Sequence, residues 1–170
     1  EQSVAQLINE LYTKFPNYDI NTFVNPYLKL TLLHINAQYG RSNIIQGLLE
    51  QNPIIDIRDI NQRTPLHYAA MSGNIECLKS LIKKGANINA QTSVFYLYLF
   101  QFQYINKKGN ETPLMKAAQF NQQNTLFYLL QNKADTSIKN FLQQSVSDIL
   151  RIQNPNLYQI TKQNFPQQIN

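Results

Sequence analysis

The chain has 170 residues, enough for one domain, with 43% hydrophobic and only 15% charged residues. Its formal charge is +5 at pH 7, but the basic residues are scattered, with doublets only at Lys83-Lys84 and Lys107-Lys108. That pattern argues for a solvated basic face, and nucleic-acid binding is the weaker reading. No apolar run is long enough for a transmembrane helix. The single cysteine, Cys77, excludes an intrachain disulfide and suits a reducing, intracellular and cytoplasmic setting.

Residues 1 to 17 read as a helix, with Val4, Leu7, Ile8, Leu11 and Phe15 on one face and Pro16 as the stop. Residues 22 to 30 are apolar for a connection. At Thr31-Leu32-Leu33-His34 a helix start is predicted, followed by a second apolar face through Ile44, Ile45, Leu48 and Leu49, with Asn52 closing the pair. A hairpin from Pro53 to Arg63 follows, with Asp56, Arg58, Asp59, Asn61, Gln62 and Arg63 expected to point toward solvent.

The clearest stretch is Thr64-Pro65-Leu66-His67-Tyr68-Ala69-Ala70-Met71-Ser72-Gly73. Thr64 is a natural helix N-cap, and Pro65 sits at the first helical position, where its missing N–H costs nothing. Gly73 permits a tight turn. Ile75, Cys77, Leu78, Leu81 and Ile82 then recur at helical spacing, and Gly85 ends the second helix. Such a helix–turn–helix unit cannot bury its own apolar face. The pattern recurs. Thr31 and Gly40 lie 33 residues before Thr64 and Gly73. Thr112-Pro113-Leu114-Met115-Lys116-Ala117-Ala118 repeats the motif at an offset of 48, which is 33 plus 15. Ser145-Val146-Ser147-Asp148-Ile149-Leu150 gives a degenerate fourth copy.

These residues resemble the ankyrin repeat, whose T-P-L-H-x-A-A signature stands at Thr64–Ala70. The resemblance implies an all-α solenoid of stacked helix–turn–helix units with β-hairpin fingers. It divides one domain over 1–170 into an N-terminal half-repeat or cap at 1–30, repeats at 31–63, 64–111 and 112–144, and a C-terminal cap and tail at 145–170. The first residue is Glu1, so the natural start is expected upstream or processed. The first repeat departs from the family with Leu32 for proline and Asn36 for alanine. Met115 replaces the histidine of the third repeat, which is expected to fix that helix start less firmly. Asn52, Asn121 and Lys133 stand at glycine positions, and Lys133 is expected to be strained by about 1 kcal/mol if it takes positive φ. A short terminal helix is expected over 154–162, followed by a frayed tail carrying Pro166.

The 48-residue step contains an aromatic, uncharged, strand-prone insertion over 92–106, Thr92 to Asn106, at the family's finger position. Three readings compete. It docks on a partner as an extended finger, it folds back over the stack, or it is a translated intron that keeps the frame.

No phosphate-cradling glycine loop, paired-carboxylate signature or activated serine motif is present, so no catalytic residue, cofactor or metal site is expected. In this family the T-x-x-H pair is a structural hydrogen-bond device, which is the reading given to His34 and His67. The resemblance implies a non-enzymatic protein–protein interaction module that binds another protein in a concave groove. The alternative is a regulatory segment of a larger enzyme or channel, or a scaffold subunit of a large assembly. By register, the groove candidates are Gln38, Tyr39, Met71, Ser72, Gln119 and Phe120. The finger candidates are Arg58, Asp59, Asn61, Arg63, Lys107, Lys108 and Glu111.

Overall fold

The computed structural model describes Lys14, residues 19–93 and residues 109–169. The expected helix over 1–17, apart from helical Lys14, and most of the expected insertion lie outside the described residues. Among those described there are eight helices and no strand. They run in pairs: α1 (Leu32–Gln38) with α2 (Ser42–Glu50), α3 (Pro65–Ser72) with α4 (Ile75–Lys83), α5 (Pro113–Gln119) with α6 (Gln123–Gln131), and α7 (Val146–Gln153) with α8 (Pro155–Asn164).

Each inner helix opens in the same way. Thr31, Thr64, Thr112 and Ser145 are all extended N-caps, with ψ between 164 and 173°. Pro65 and Pro113 occupy the first turn that follows. Helices of seven to ten residues are marginal on their own. Here each inner helix packs on the next, α1 on α3, α3 on α5 and α5 on α7, while α2, α4 and α6 form a second row. The core is one continuous strip from Ile20 to Ile169, in which Leu66, Leu78, Leu81, Leu126, Leu129, Leu130 and Leu150 are wholly buried. Each such leucine contributes roughly 1.5–3 kcal/mol of hydrophobic stabilisation.

The register is visible in the backbone. The ten left-handed residues among those described fall into three sets. Lys29, Gln62, Asn110 and Gln143 close the turns before the inner helices. Gly40, Gly73 and Asn121 join inner to outer helix, and Asn52, Gly85 and Lys133 end the outer helices. Lys133 has φ 60°, a conformation that costs an L side chain roughly 1–2 kcal/mol. At Gly40 and Gly73 the next unit also needs the space. A Cβ there would lie 2.5 Å from Asn74 Nδ2 or 2.0 Å from Gln122 Oε1.

Neighbouring units are tied by three recurring hydrogen-bond series. Asn74 Nδ2 donates to Gly40 O at 3.1 Å, and Gln122 Nε2 donates to Met71 O at 3.2 Å. In the loops beyond the outer helices, Ile54 N donates to Asn21 Oδ1, Asn87 N to Asp56, and Asp135 N to Asn89 Oδ1. At the finger tips, Ile60 N donates to Leu28 O, Ser93 N to Asn61 O, and Phe141 N to Gly109 O.

The fingers are hydrogen-bonded turns. Asp59 N donates to Arg63 O and Gln62 N to Asp59 O. The same pair recurs as Thr92–Glu111 with Asn110–Thr92, and as Asn140–Gln144 with Gln143–Asn140. Among the described residues these turns build no ladder, and the only bridge there joins Asn25 to Leu30. Thr92 therefore takes the place of Asp59 at the base of an ordinary finger. The residues between Ser93 and Gly109 lie outside the described residues.

Thr112 Oγ1 accepts from Met115 N at 3.3 Å, and Met115 is buried, so α5 keeps its cap without a histidine ring. One expectation is corrected: the tail does not fray as far as Ile169. Phe165 meets Phe127 edge-on at 5.3 Å, and Ile169 is fully buried. Apolar anchoring outweighs the polar composition between them.

Candidate functional site

The inner helices end in two equivalent positions per unit. Seven residues after each N-cap stand Gln38, Met71, Gln119 and Ile152, and eight after it stand Tyr39, Ser72, Phe120 and Gln153. Tyr39 is 67% exposed, Phe120 49% and Ile152 68%, while Met71 is half-buried. The outer helices behave differently, since Ile45, Leu48, Leu49, Cys77, Leu78 and Leu81 all turn inward. Ile152 escaped the sequence reading, although its register after Ser145 could have located it.

The polar candidates separate into exposed and occupied groups. Gln38 is exposed. Ser72 is also exposed, but its hydroxyl is shared between Ala37 O and Ala69 O. Gln119 bonds to both Glu111 and Lys116. Arg58 is half-buried, its guanidinium donating to Gln62 O and Gln91 O at 2.9 Å each. Asn61 and Arg63 are half-buried. Lys107 and Lys108 lie outside the described residues.

Asp59 corrects the expectation of a solvent-facing carboxylate. It is 1% exposed and accepts from Asn61 N, Arg63 N and the Tyr68 hydroxyl. These donors replace the water that burial removes. Burial, with the Asp59 carboxylate beside it, pushes the Tyr68 hydroxyl up to about 12. Glu111 is also interior. Its carboxylate pairs with the buried Lys116 ammonium at 2.5 Å and accepts from the Gln119 amide.

The histidines are structural. His34 Nδ1 accepts from Thr31 N, and His67 Nδ1 accepts from Thr64 N. The ring proton therefore sits on Nε2, which reaches Arg63 O from His34 and Glu111 O from His67. Each ring locks its own helix cap to the finger of the following unit. Burial holds His67 down at about 3 and also lowers His34, so both are neutral at physiological pH. Cys77 is buried and pushed up to about 11, which removes thiolate reactivity at neutral pH. No group of three or more potential metal-ligating side chains converges among the described residues. None of the described helices is long and apolar enough to cross a membrane.

Comparison with known proteins agrees with this geometry. A family model described as ankyrin repeats in three copies matches residues 2–92. The chain belongs to the ankyrin-repeat family. A second ankyrin-repeat model, described as many copies, matches residues 66–130. Ankyrin repeats are a general protein-interaction module. The chain is 40% identical over 62 residues to the probable E3 ubiquitin-protein ligase XBOS31 of Oryza sativa subsp. japonica, covering 36% of this chain and 14% of that protein. It is 39% identical over 79 residues to alpha-latrocrustotoxin-Lt1a of Latrodectus tredecimguttatus, covering 44% of this chain and 6% of the toxin. It is 28% identical over 140 residues to a transient receptor potential cation channel subfamily A member 1 homolog of Caenorhabditis elegans, covering 77% of this chain and 10% of the channel. The chain thus spans only a small fraction of the curated relatives it matches.

Proposed function

We propose that this ankyrin-repeat chain is a non-enzymatic protein-binding module. Its partner seats in a groove formed by the inner-helix ends and the finger turns. The carrying observation is the run of large apolar side chains at the last two register positions of the inner helices, Met71 and Ile152 at the seventh and Tyr39 and Phe120 at the eighth, three of the four exposed. Buried elsewhere, such side chains would each add to the core; left outside in series, they are suited to anchoring a partner. Gln38, Ser72, Asn61 and Arg63 supply adjacent polar surface. Asp59, Glu111 and Gln119 support the fingers from inside.

The test is capture of the native partner by the wild-type chain and by a Tyr39→Ala, Met71→Ala, Phe120→Ala variant with an unchanged circular dichroism spectrum. The variant should lose most of the capture. Equal capture sinks this reading.

A second reading is favoured by the short coverage of the relatives: 14% of the ligase and 10% of the channel. The chain is then the ankyrin segment of a larger enzyme or channel, and the same face binds a regulatory partner or another domain of that protein. Sequencing the full transcript distinguishes the two readings.

A further inference from the structure

The charges around the inner-helix face define the chemistry of the partner, provided the protein-binding reading holds. The acids on this side are turned to internal tasks. Asp59 is buried and receives three hydrogen bonds. Glu111 is buried against Lys116. Asp148 caps α7 by accepting from Ser145 N and the Ser145 hydroxyl. One arginine is placed differently. Arg41 is exposed, with its guanidinium 5.2 Å from the ring centroid of Tyr39, and no described acidic side chain forms an ion pair with it. Arg63 is half-buried at the finger and already engaged, its side chain bonded to the Tyr68 hydroxyl that donates to Asp59. The outer helices show no such bias, since they expose Glu50 and Glu76 together with Lys79 and Lys83.

Arg41 and Tyr39 are also matched in kind. An arginine stacked on an exposed tyrosine keeps its N–H fork free at the edge for a carboxylate, while the ring remains available to an apolar group. At the equivalent places in later units, the amides of Asn74 and Gln122 are bonded to the preceding unit. Arg41 instead lies over its own neighbour's ring.

We propose that the face takes an acidic amphipathic segment of a partner protein. A carboxylate of that segment sits against Arg41, and its aromatic or aliphatic side chains sit against Tyr39, Met71, Phe120 and Ile152. Complementary charge of this type favours association and discriminates between partners more than it deepens affinity.

The probe is a fluorescein-labelled synthetic peptide alternating glutamate with leucine and phenylalanine, followed by fluorescence anisotropy. Its counterparts carry glutamine or lysine in place of glutamate, and oligothymidylate serves as a competitor. The acidic peptide should bind about tenfold tighter than the glutamine peptide at low ionic strength, with the gap shrinking as salt rises. Arg41→Glu should remove that preference, and Arg41→Gln should reduce it. A glutamine or lysine peptide that binds as tightly overturns the proposal, but leaves the protein-binding reading intact if Tyr39→Ala and Phe120→Ala still weaken it. Oligothymidylate that displaces the acidic peptide overturns it in favour of a nucleic-acid ligand. Failure of every peptide to bind also overturns it, and the capture experiment with the triple variant judges the broader reading separately.

Discussion

Acidification should loosen the stack through His67. The ring is wholly buried and neutral, and it holds Thr64 N–H on one side and Glu111 O on the other. Its folded value is about 3, against 6.5 when unfolded. Below pH 6.5 the unfolded chain binds a proton that the folded chain refuses, so stability falls as pH falls and levels off near the folded value. Each pH unit inside that window is worth about 1.4 kcal/mol per fully coupled group, so by pH 4.5 the loss from His67 alone is ~3 kcal/mol. His34, also lowered by burial, adds to the slope with the same sign. A loss of this size is a large fraction of a typical domain stability of roughly 5–15 kcal/mol. Urea denaturation monitored by circular dichroism at several pH values between 7 and 4.5 measures it. The comparison is His67→Met, which copies the residue found at Met115. At neutral pH that variant should be weaker by about 1–3 kcal/mol, because two buried partners lose their bonds. Its stability should then fall less steeply with acid. An unchanged wild-type urea midpoint across this range, or the same slope in both proteins, would refute the reasoning.

Removing residues 94–108 should leave a folded stack, because Ser93 would then join Gly109 in a finger of ordinary length, closed by Thr92 and Glu111. Unchanged helical content with a cooperative melt is the expected result. Glu111→Gln removes the carboxylate from a buried ammonium and should cost roughly 3–5 kcal/mol, measured by urea denaturation. Lys133→Gly relieves a left-handed side chain at φ 60°. It should stabilise the chain by no more than about 1 kcal/mol, since glycine also gains freedom in the unfolded state. A shift of the melting temperature upward checks it.

Where local chemistry determines structure, the sequence was readable. Thr31, Thr64, Thr112 and Ser145 announce helix starts because a short hydroxyl and an extended backbone satisfy free N–H groups. The positions of Gly40, Gly73 and Gly85 announce turns because left-handed backbone is cheap only without a Cβ. Asn121 and Lys133 followed from register rather than residue type. Features set by neighbouring units were hidden. Asp59 looks like a surface residue in a polar run, and its burial depends on Tyr68 and the following backbone folding over it. Glu111 acquires its role from Lys116 and Gln119 on the next helix. The buried tail was missed because its anchor, Phe127, belongs to the preceding pair. Asn36, expected at an alanine position, is buried with Nδ2 donating to Leu32 O, while Oδ1 has no hydrogen-bond partner; its choice there has no explanation in the contacts.

The most direct measurement is hydrogen–deuterium exchange of the chain, free and saturated with its partner, resolved by mass spectrometry. The account predicts added protection at the ends of α1, α3 and α5, around Tyr39, Met71 and Phe120, with the outer helices α4 and α6 little changed. Protection concentrated on the outer helices, with the inner-helix ends unaffected, would contradict it.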